Sequence, residues 1–591
     1  MTIDLKIRTI CLSAMLLLPL SIYGADDLFA QIPGLWGAEK IFGSTEPYSI
    51  TINLNEDAPY AYVLGQSVKI TNPINGQKNK LAFSLPGNLG RFEGSLNRNS
   101  NRIEGHWVSH PSTVLYSRYA TPVSLSPSAT NTWIGEIHPV PESFSLYFLI
   151  EPGESETLNV RLRNPDRNQG VFTRVASIRL DETTLLFNSP DDETLLTGVY
   201  DAATDSILLA FPGRGGTYEL TRRQRDEAPG YYPAPELTRY EYRKPLNTGD
   251  GWSTDNGRSV DLAEPGLQSL VQSILDTKTD SLITPYIHSI LVARHGKLVL
   301  EEYFYGYHPD RVHDLRSASK TITALLTGQA IDSVAGFGLD SPIYESFGKP
   351  VAQDQHAPYR RSMNVSHLLS MTSGFACDDN DDDSPGNENT MQDQSDQQDW
   401  WEYMLSLPLV AEPGTSGVYC SGAINLLGGL VSKQQGLSLQ TLFARGLAGP
   451  LSINRYHMNL DPLGRGYGGG GMFMRPRDFL KIGQVIVDKG RWHDQQVVSE
   501  QWIKQMLQSH ASIYADDDYG YGIWTGYLPY RGKQVPIYSA TGNGGQLLIM
   551  IPSLELVVGF TGGNYGDFRT WIQWREQLVP EYILGAIEAS E

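Results

Sequence analysis

Two architectures in one chain are predicted: an all-β, internally repeated N-terminal region, and behind it an α+β domain that joins an α/β sheet to a helical subdomain. Three observations lead there. From residue 26 to about 223, short strand-like runs such as "YSITINL" and "FSLYFLI" alternate with Gly, Pro, Asn and Asp, and no helical period shows. Within that region the sequence echoes itself. "LWGAEKIFGSTEPYSITINL" resembles "TWIGEIHPVPESFSLYFLI", with Trp36 opposite Trp133; "ITNPINGQ" resembles "LRNPDRNQ"; and "FEGSLNRNSNRIEGHW" resembles "LTGVYDAATDSILLAF". Beyond residue 266, strand runs at both ends enclose helical ones, which is the pattern of one sheet closed by both termini.

Taken in order, residues 1–25 carry Lys6 and Arg8, an apolar run from Ile10 to Ile22, then Gly24 and Ala25. That is the layout of a signal peptide, with a run too short for a membrane span. Residues 26–125 and 126–225 are the two repeats, each of a length suited to a small antiparallel barrel or sandwich. The stretch 226–262, rich in Pro, Gly, Tyr and Asp, reads as linker and lead-in. In the last domain, 263–591, "IHSILVARHGKLVLEEYF" reads as two strands joined at His295-Gly296. "SASKTITALLTGQAID" and "DWWEYMLSLPLV" read as helices, and "LLIMIP" and "LELVVGFTGG" as buried strands.

A chain of 591 residues exceeds one core, and length alone suggests roughly four domains. Its net charge of −20 and the lack of a basic cluster argue against nucleic acid and anionic membrane as partners. Export leaves Cys377 and Cys420, which form one disulfide or stay as two buried thiols.

The chemistry centres on "LRSASKTITALL". Ser317 opens a helix, where unpaired N–H groups and the dipole favour negative charge. Lys320, three residues on, shares its face, so a neutral amine there can take the serine proton. The bland alternative is a capped helix with a solvated lysine, and Ser346 and Lys349 show that the spacing alone decides little. Further on, "EPGTSGVYCSGAINLLGGLV" sets Tyr419 and Ser421 just ahead of an apolar helix, and a tyrosine hydroxyl can share that proton. In "YSATGNGGQLLIMIP", Thr541, Gly542 and Asn543 allow a backbone to lie against a substrate and offer an N–H to an oxyanion. The acidic run Asp378, Asp379, Asp381, Asp382 and Asp383 lacks the glycine and final glutamate of a calcium loop and reads as solvated surface. His367 reads as structural. No Gly-x-Ser-x-Gly and no His-Glu-x-x-His occurs.

Ser317, Tyr419 and Thr541 in this order, with the flanking phrases "NVSHLLSMTSGF", "YGGGGMFMRPRDFLKIGQVIVDKGRW" and "YGYGIW", resemble the serine β-lactamase-like hydrolases. That superfamily includes penicillin-binding proteins, class C β-lactamases, esterases and the 6-aminohexanoate-dimer hydrolase. The resemblance covers about residues 240–580 and implies a β-lactamase/transpeptidase-like fold. It implies Ser317 as acylated nucleophile, Lys320 as its base, and Tyr419 as second general base and acid. The backbone N–H groups of Ser317 and Asn543 would form the oxyanion hole, with Ser421, Ala540, Thr541 and Gly542 binding substrate. Relatives often carry cysteines near both positions here, which implies a Cys377–Cys420 bridge. Two departures stand out. Ser421 replaces the asparagine of class C enzymes, and Ala540 replaces the lysine of Lys-Thr-Gly, which helps hold a substrate carboxylate.

The expectation is an exported, periplasmic or extracellular serine hydrolase that needs no cofactor or metal and acts on a small ester or amide or a peptide-like substrate. A cell-wall D,D-peptidase or β-lactamase is the first alternative, weakened by Ala540. A non-catalytic binding protein that keeps the fold is the second. For the β-rich repeats, a glycan, a lipid or a protein is the candidate partner.

Overall fold

The computed structural model describes residues 30–588, apart from 56–58, 71–78, 112–116, 155–156, 182, 352, 395 and 515–516. The proposed signal peptide, 1–25, lies outside the described residues.

The N-terminal region is all-β. Eight strands close a barrel: Gly34–Ile41, then the seven strands from Ser143–Pro152 to Gly216–Arg222. Its interior is filled by Trp36, Phe144, Phe148, Leu162, Phe187 and Leu209, the inward members of alternating strands. A second set of strands, Tyr48–Asn53 to Thr132–Ile137, encloses another core around Ile52, Phe92, Trp107 and Trp133. The sheets do not follow a boundary at residue 125. Strand Arg118–Ala129 crosses it. Trp36 pairs with Phe148 in the later unit, whereas Trp133 pairs with Ile52 in the earlier one.

The stretch 226–262 is a strap packed on the last domain rather than a free linker. Tyr240 is buried and donates its hydroxyl to Glu302 Oε1 at 2.7 Å, and the Trp252 indole N–H reaches the Arg477 carbonyl at 3.1 Å. Polar composition hid these aromatic anchors.

The last domain is built on a nine-stranded sheet that both ends of the domain complete. Ile287–Arg294 pairs with Lys297–Tyr303 through a turn at His295-Gly296, both in the left-handed region (φ 50° and 71°), as a tight hairpin requires. On its other side it pairs with Leu556–Gly562, with Val292 opposite Val558. Both faces of this sheet are covered. Leu291, Ala293, Leu548 and Val557 face one core, and Ile290, Val292, Ile549 and Val558 face the other. That is why these strands read as continuous apolar runs. The helical subdomain lies on the first face, centred on the Lys320–Ser333 helix, which packs against Ser421–Gln435.

One sheet ties the two regions together. Strand Arg118–Ala129 pairs with Tyr456–Leu460, which pairs with Phe473–Met474, which pairs with His313–Asp314. Among the described residues, no helix is long and apolar enough to cross a membrane.

Candidate active site

Ser317 sits in a single 3₁₀ turn, Arg316–Ser319, that feeds directly into the Lys320–Ser333 helix. The turn is held from several sides. Leu315 N–H donates to the Met472 carbonyl at 2.9 Å, and Gly471 N–H to the Arg316 carbonyl at 3.2 Å. Asp314 Oδ1 accepts the Arg316 N–H at 3.0 Å. Arg316 itself has φ 48°, a left-handed conformation that costs a non-glycine residue about 1–2 kcal/mol and persists only where neighbours enforce it. Ser317 stays partly exposed.

Lys320 lies beneath, 1% exposed, with Nζ 2.8 Å from Ser317 Oγ. Its Nζ stands 4.9 Å from the centroid of the Tyr419 ring. Tyr419 stacks on Trp524 at 5.4 Å, and Trp524 on Tyr514 at 5.6 Å, so three rings form one wall of the site. Trp524 was already contained in the "YGYGIW" phrase, without an assigned role.

The third side is strand Lys533–Gly542. Gly542 lies so close to the turn that carries Ser317 that a Cβ there would meet the Leu315 carbonyl oxygen at 2.3 Å. Asn543 follows the end of that strand, and its Oδ1 is held by Gly566 N–H at 2.9 Å. Ser317, Lys320 and the Tyr419 ring thus lie together, and Gly542 abuts the turn that carries Ser317, with Thr541 and Asn543 on either side of Gly542 in the chain.

Two expected substrate contacts do not line the site. Ser421 is 0% exposed: its N–H and hydroxyl both donate to Asp379 Oδ2, at 2.7 and 2.6 Å. Ala540 is buried in the core around the Lys320–Ser333 helix. Nor is the acidic run wholly solvated. Asp379 turns inward, and its Oδ1 accepts the Glu388 N–H at 3.0 Å. Burial, then the nearby Glu388 carboxylate, push Asp379 up to about 6, against the pull of Lys320 and the Ser421 donors. Nothing in the run of aspartates marks which one folds inward: Asp378 is the neighbour of Cys377, and Asp379 is the one that turns in. Cys377 and Cys420 are bridged, Cα atoms 5.5 Å apart, which joins this loop to the start of the Ser421–Gln435 helix. His367 is structural: its Nδ1 accepts the Asn364 N–H at 3.3 Å.

Residues 279–569 match the family model described as Beta-lactamase. A relative, the 6-aminohexanoate-dimer hydrolase of Paenarthrobacter ureafaciens, is 26% identical over 331 residues, 53% of this chain and 80% of that protein. The domain belongs to the serine β-lactamase-like superfamily. Solved structures are also similar. EstCE1, titled a hydrolase with promiscuous acyltransferase activity, matches at 17% identity with a TM-score of 0.43, over 56% of this chain and 99% of its own. A D-stereospecific amidohydrolase from Streptomyces sp. matches at 16% identity with a TM-score of 0.38, over 49% of this chain and 93% of its own. The β-lactamase-family match begins at residue 279, so both N-terminal β units lie outside it.

Proposed function

We propose that this chain is an exported serine hydrolase that opens an ester or amide through an acyl-enzyme. The observation that carries the reading is the 2.8 Å contact between Lys320 Nζ and Ser317 Oγ at a helix N-terminus beside Tyr419. In the proposed reaction, Ser317 Oγ attacks the carbonyl carbon while its proton moves to the Nζ lone pair of Lys320. The oxyanion is stabilised by the N–H groups of Ser317 and Asn543. As the tetrahedral intermediate collapses, Lys320 and Tyr419 return the proton to the leaving alcohol or amine. Water then attacks the acyl carbon, its proton taken by Tyr419 and Lys320; the bond from that carbon to Ser317 Oγ breaks, the proton passes to Oγ, and the acid leaves.

The relative's printed name makes a linear amide the first substrate class to try. Ala540 is buried and uncharged, so its position brings no cation to a substrate carboxylate, a contact usually worth about 1.5–3 kcal/mol. Neutral esters and amides should therefore be preferred over β-lactams. Export is supported by the layout of residues 1–25 and by the Cys377–Cys420 pair. The two β units are read as a duplicated module with exchanged first strands, supported by Trp36 and Trp133 taking partners that the echoed segments align. The filled core of the closed barrel favours a surface partner, glycan or protein, over a lipid held inside.

A fluorophosphonate probe tests the nucleophile. The adduct is expected on the peptide holding Ser317, lost in Ser317→Ala, with labelling slowed ~10²–10⁴-fold in Lys320→Ala. Equal labelling of wild type and Ser317→Ala would overturn the reading.

A further inference from the structure

The barrel loop 164–168, "NPDRN", reaches both halves of the site. The loop is built rigidly: Asn164 is fully buried, donates Nδ2–H to the Ser145 carbonyl at 2.6 Å and accepts the Arg167 N–H at 2.8 Å. Arg167 Nη1 donates to Asp314 Oδ2 at 3.1 Å, and the other oxygen of Asp314 holds the Arg316 N–H beside Ser317. Burial would raise the Asp314 carboxyl, yet the guanidiniums of Arg316 and Arg167 hold it below the usual range. It therefore stays an acceptor at neutral pH.

The same loop touches the opposite half. The Asn168 amide donates to the Tyr565 carbonyl at 2.8 Å, and the Arg167 guanidinium lies 5.4 Å from the Tyr565 ring centroid. The Tyr565 ring presses on Gly544, just past Asn543, where a Cβ would come within 3.1 Å of it. A cavity of about 40 Å³ beside Arg167, Asp314 and Tyr565 has room for a water and not for a substrate. Arg167 is therefore suited to hold geometry rather than to bind.

We propose that Arg167 is a positioning residue of the hydrolase site: through Asp314 and Tyr565 it fixes the spacing between the Ser317 turn and the Asn543 N–H. The N-terminal barrel is on this account part of the active site and not an appended module. The proposal rests on Ser317 and Asn543 having the roles given above. A left-handed Arg316 relaxes if Asp314 loses its anchor, and an ångström of drift between nucleophile and oxyanion donor is enough to lower the rate ~10²-fold.

The test uses the full chain with Arg167→Gln, Arg167→Lys and Thr121→Val. Thr121 contacts His457 Nδ1 at 2.8 Å across the same junction without touching the nucleophile turn. The readouts are kcat and KM on a neutral p-nitrophenyl ester, the rate of fluorophosphonate labelling and the thermal midpoint. Arg167→Gln is expected to lower kcat and labelling ~10–100-fold with KM within about twofold, and Arg167→Lys to recover part of the loss, leaving kcat several-fold below wild type, because an ammonium keeps the charge beside Asp314 but not the planar contact with Tyr565. Thr121→Val is expected to lower the midpoint and leave kcat unchanged. Wild-type kcat in folded Arg167→Gln overturns the proposal, as does an equal kcat loss in Thr121→Val, which would make the effect one of the junction at large. If Arg167→Gln does not fold, Arg167→Lys carries the test: a several-fold kcat deficit at unchanged KM supports the proposal, and unchanged kcat overturns it. Ester turnover that survives Ser317→Ala defeats the nucleophile assignment instead, whatever the Arg167 variants do.

Discussion

Ser317 follows a residue held in a conformation it would not choose, and the lysine beneath it has no exposed path to water. On the proposed mechanism both features suit a reactive hydroxyl: the turn fixes where Oγ points, and burial keeps bulk solvent from the Lys320 Nζ. Asp379 works at one remove, tying Ser421 and Glu388 into the wall behind Tyr419. Its carboxyl titrates at about 6 in the folded chain, above the ~4 of an unfolded aspartate, so folding favours the protonated form. That contribution to stability is complete below pH ~4 and is lost as pH rises through about 6. Asp379→Asn places an amide nitrogen against one of the backbone or hydroxyl donors and should destabilise at pH 4. Its deficit relative to wild type should narrow by roughly 1–3 kcal/mol by pH 7, because the cost of ionising the buried carboxyl is gone. Urea midpoints at the two pH values measure this, and a deficit that widens with pH would refute it.

At the scale of elements, the site depends on a strand lying unusually close to a turn. Gly542 permits that approach, since any side chain there collides with the Leu315 carbonyl. Gly542→Ala should therefore push strand Lys533–Gly542 away from Ser317 and lower kcat ~10²-fold, with KM little changed and the fold retained. Circular dichroism and ester kinetics read the two together; full activity would mean the turn yields without effect on the oxyanion site. The Cys377–Cys420 bridge acts on the opposite wall. It closes a loop with a sequence separation of 43, worth about 4 kcal/mol in the chain-entropy model, and it anchors the one stretch of acidic loop that enters the site.

For the whole molecule, the consequence is that the β units and the hydrolase domain share backbone hydrogen bonds. Strand Tyr456–Leu460 has its edge covered by Arg118–Ala129, and Asp314 has its charge matched by Arg167. A chain beginning at residue 226 would bare that edge and take Arg167 from that carboxylate, leaving it the Arg316 guanidinium at 2.9 Å. Bare edges pair with other chains, so such a fragment should elute as aggregate on size exclusion and fail to label at Ser317. A monomeric fragment labelled at the full rate would contradict the shared-sheet account.

Much of this protein was determined locally. Period-two runs and turn residues set the β-rich third, His295-Gly296 marked the first hairpin of the last domain, and the i, i+3 spacing of Ser317 and Lys320 put amine and hydroxyl on one helix face. These follow from bond geometry within a few residues and hold wherever the segment lies. Distant pairings were decided by the folded chain. The sequence echoed Trp36 in Trp133, yet whether each strand stays in its own unit or crosses over is nearly neutral to local pattern, since either choice buries the same face. Ser421 reads as a substrate contact because it stands where the class C enzymes it resembles have asparagine. Only the folded loop shows Asp379 reaching it across 42 residues and removing it from the wall. Arg167 and Asp314 are 147 residues apart, and no periodicity links them. Arg316, two residues on, gives the buried Asp314 one cation locally at 2.9 Å, but that Arg167 arrives as the second is settled by how two sheets dock, a property of the tertiary structure alone.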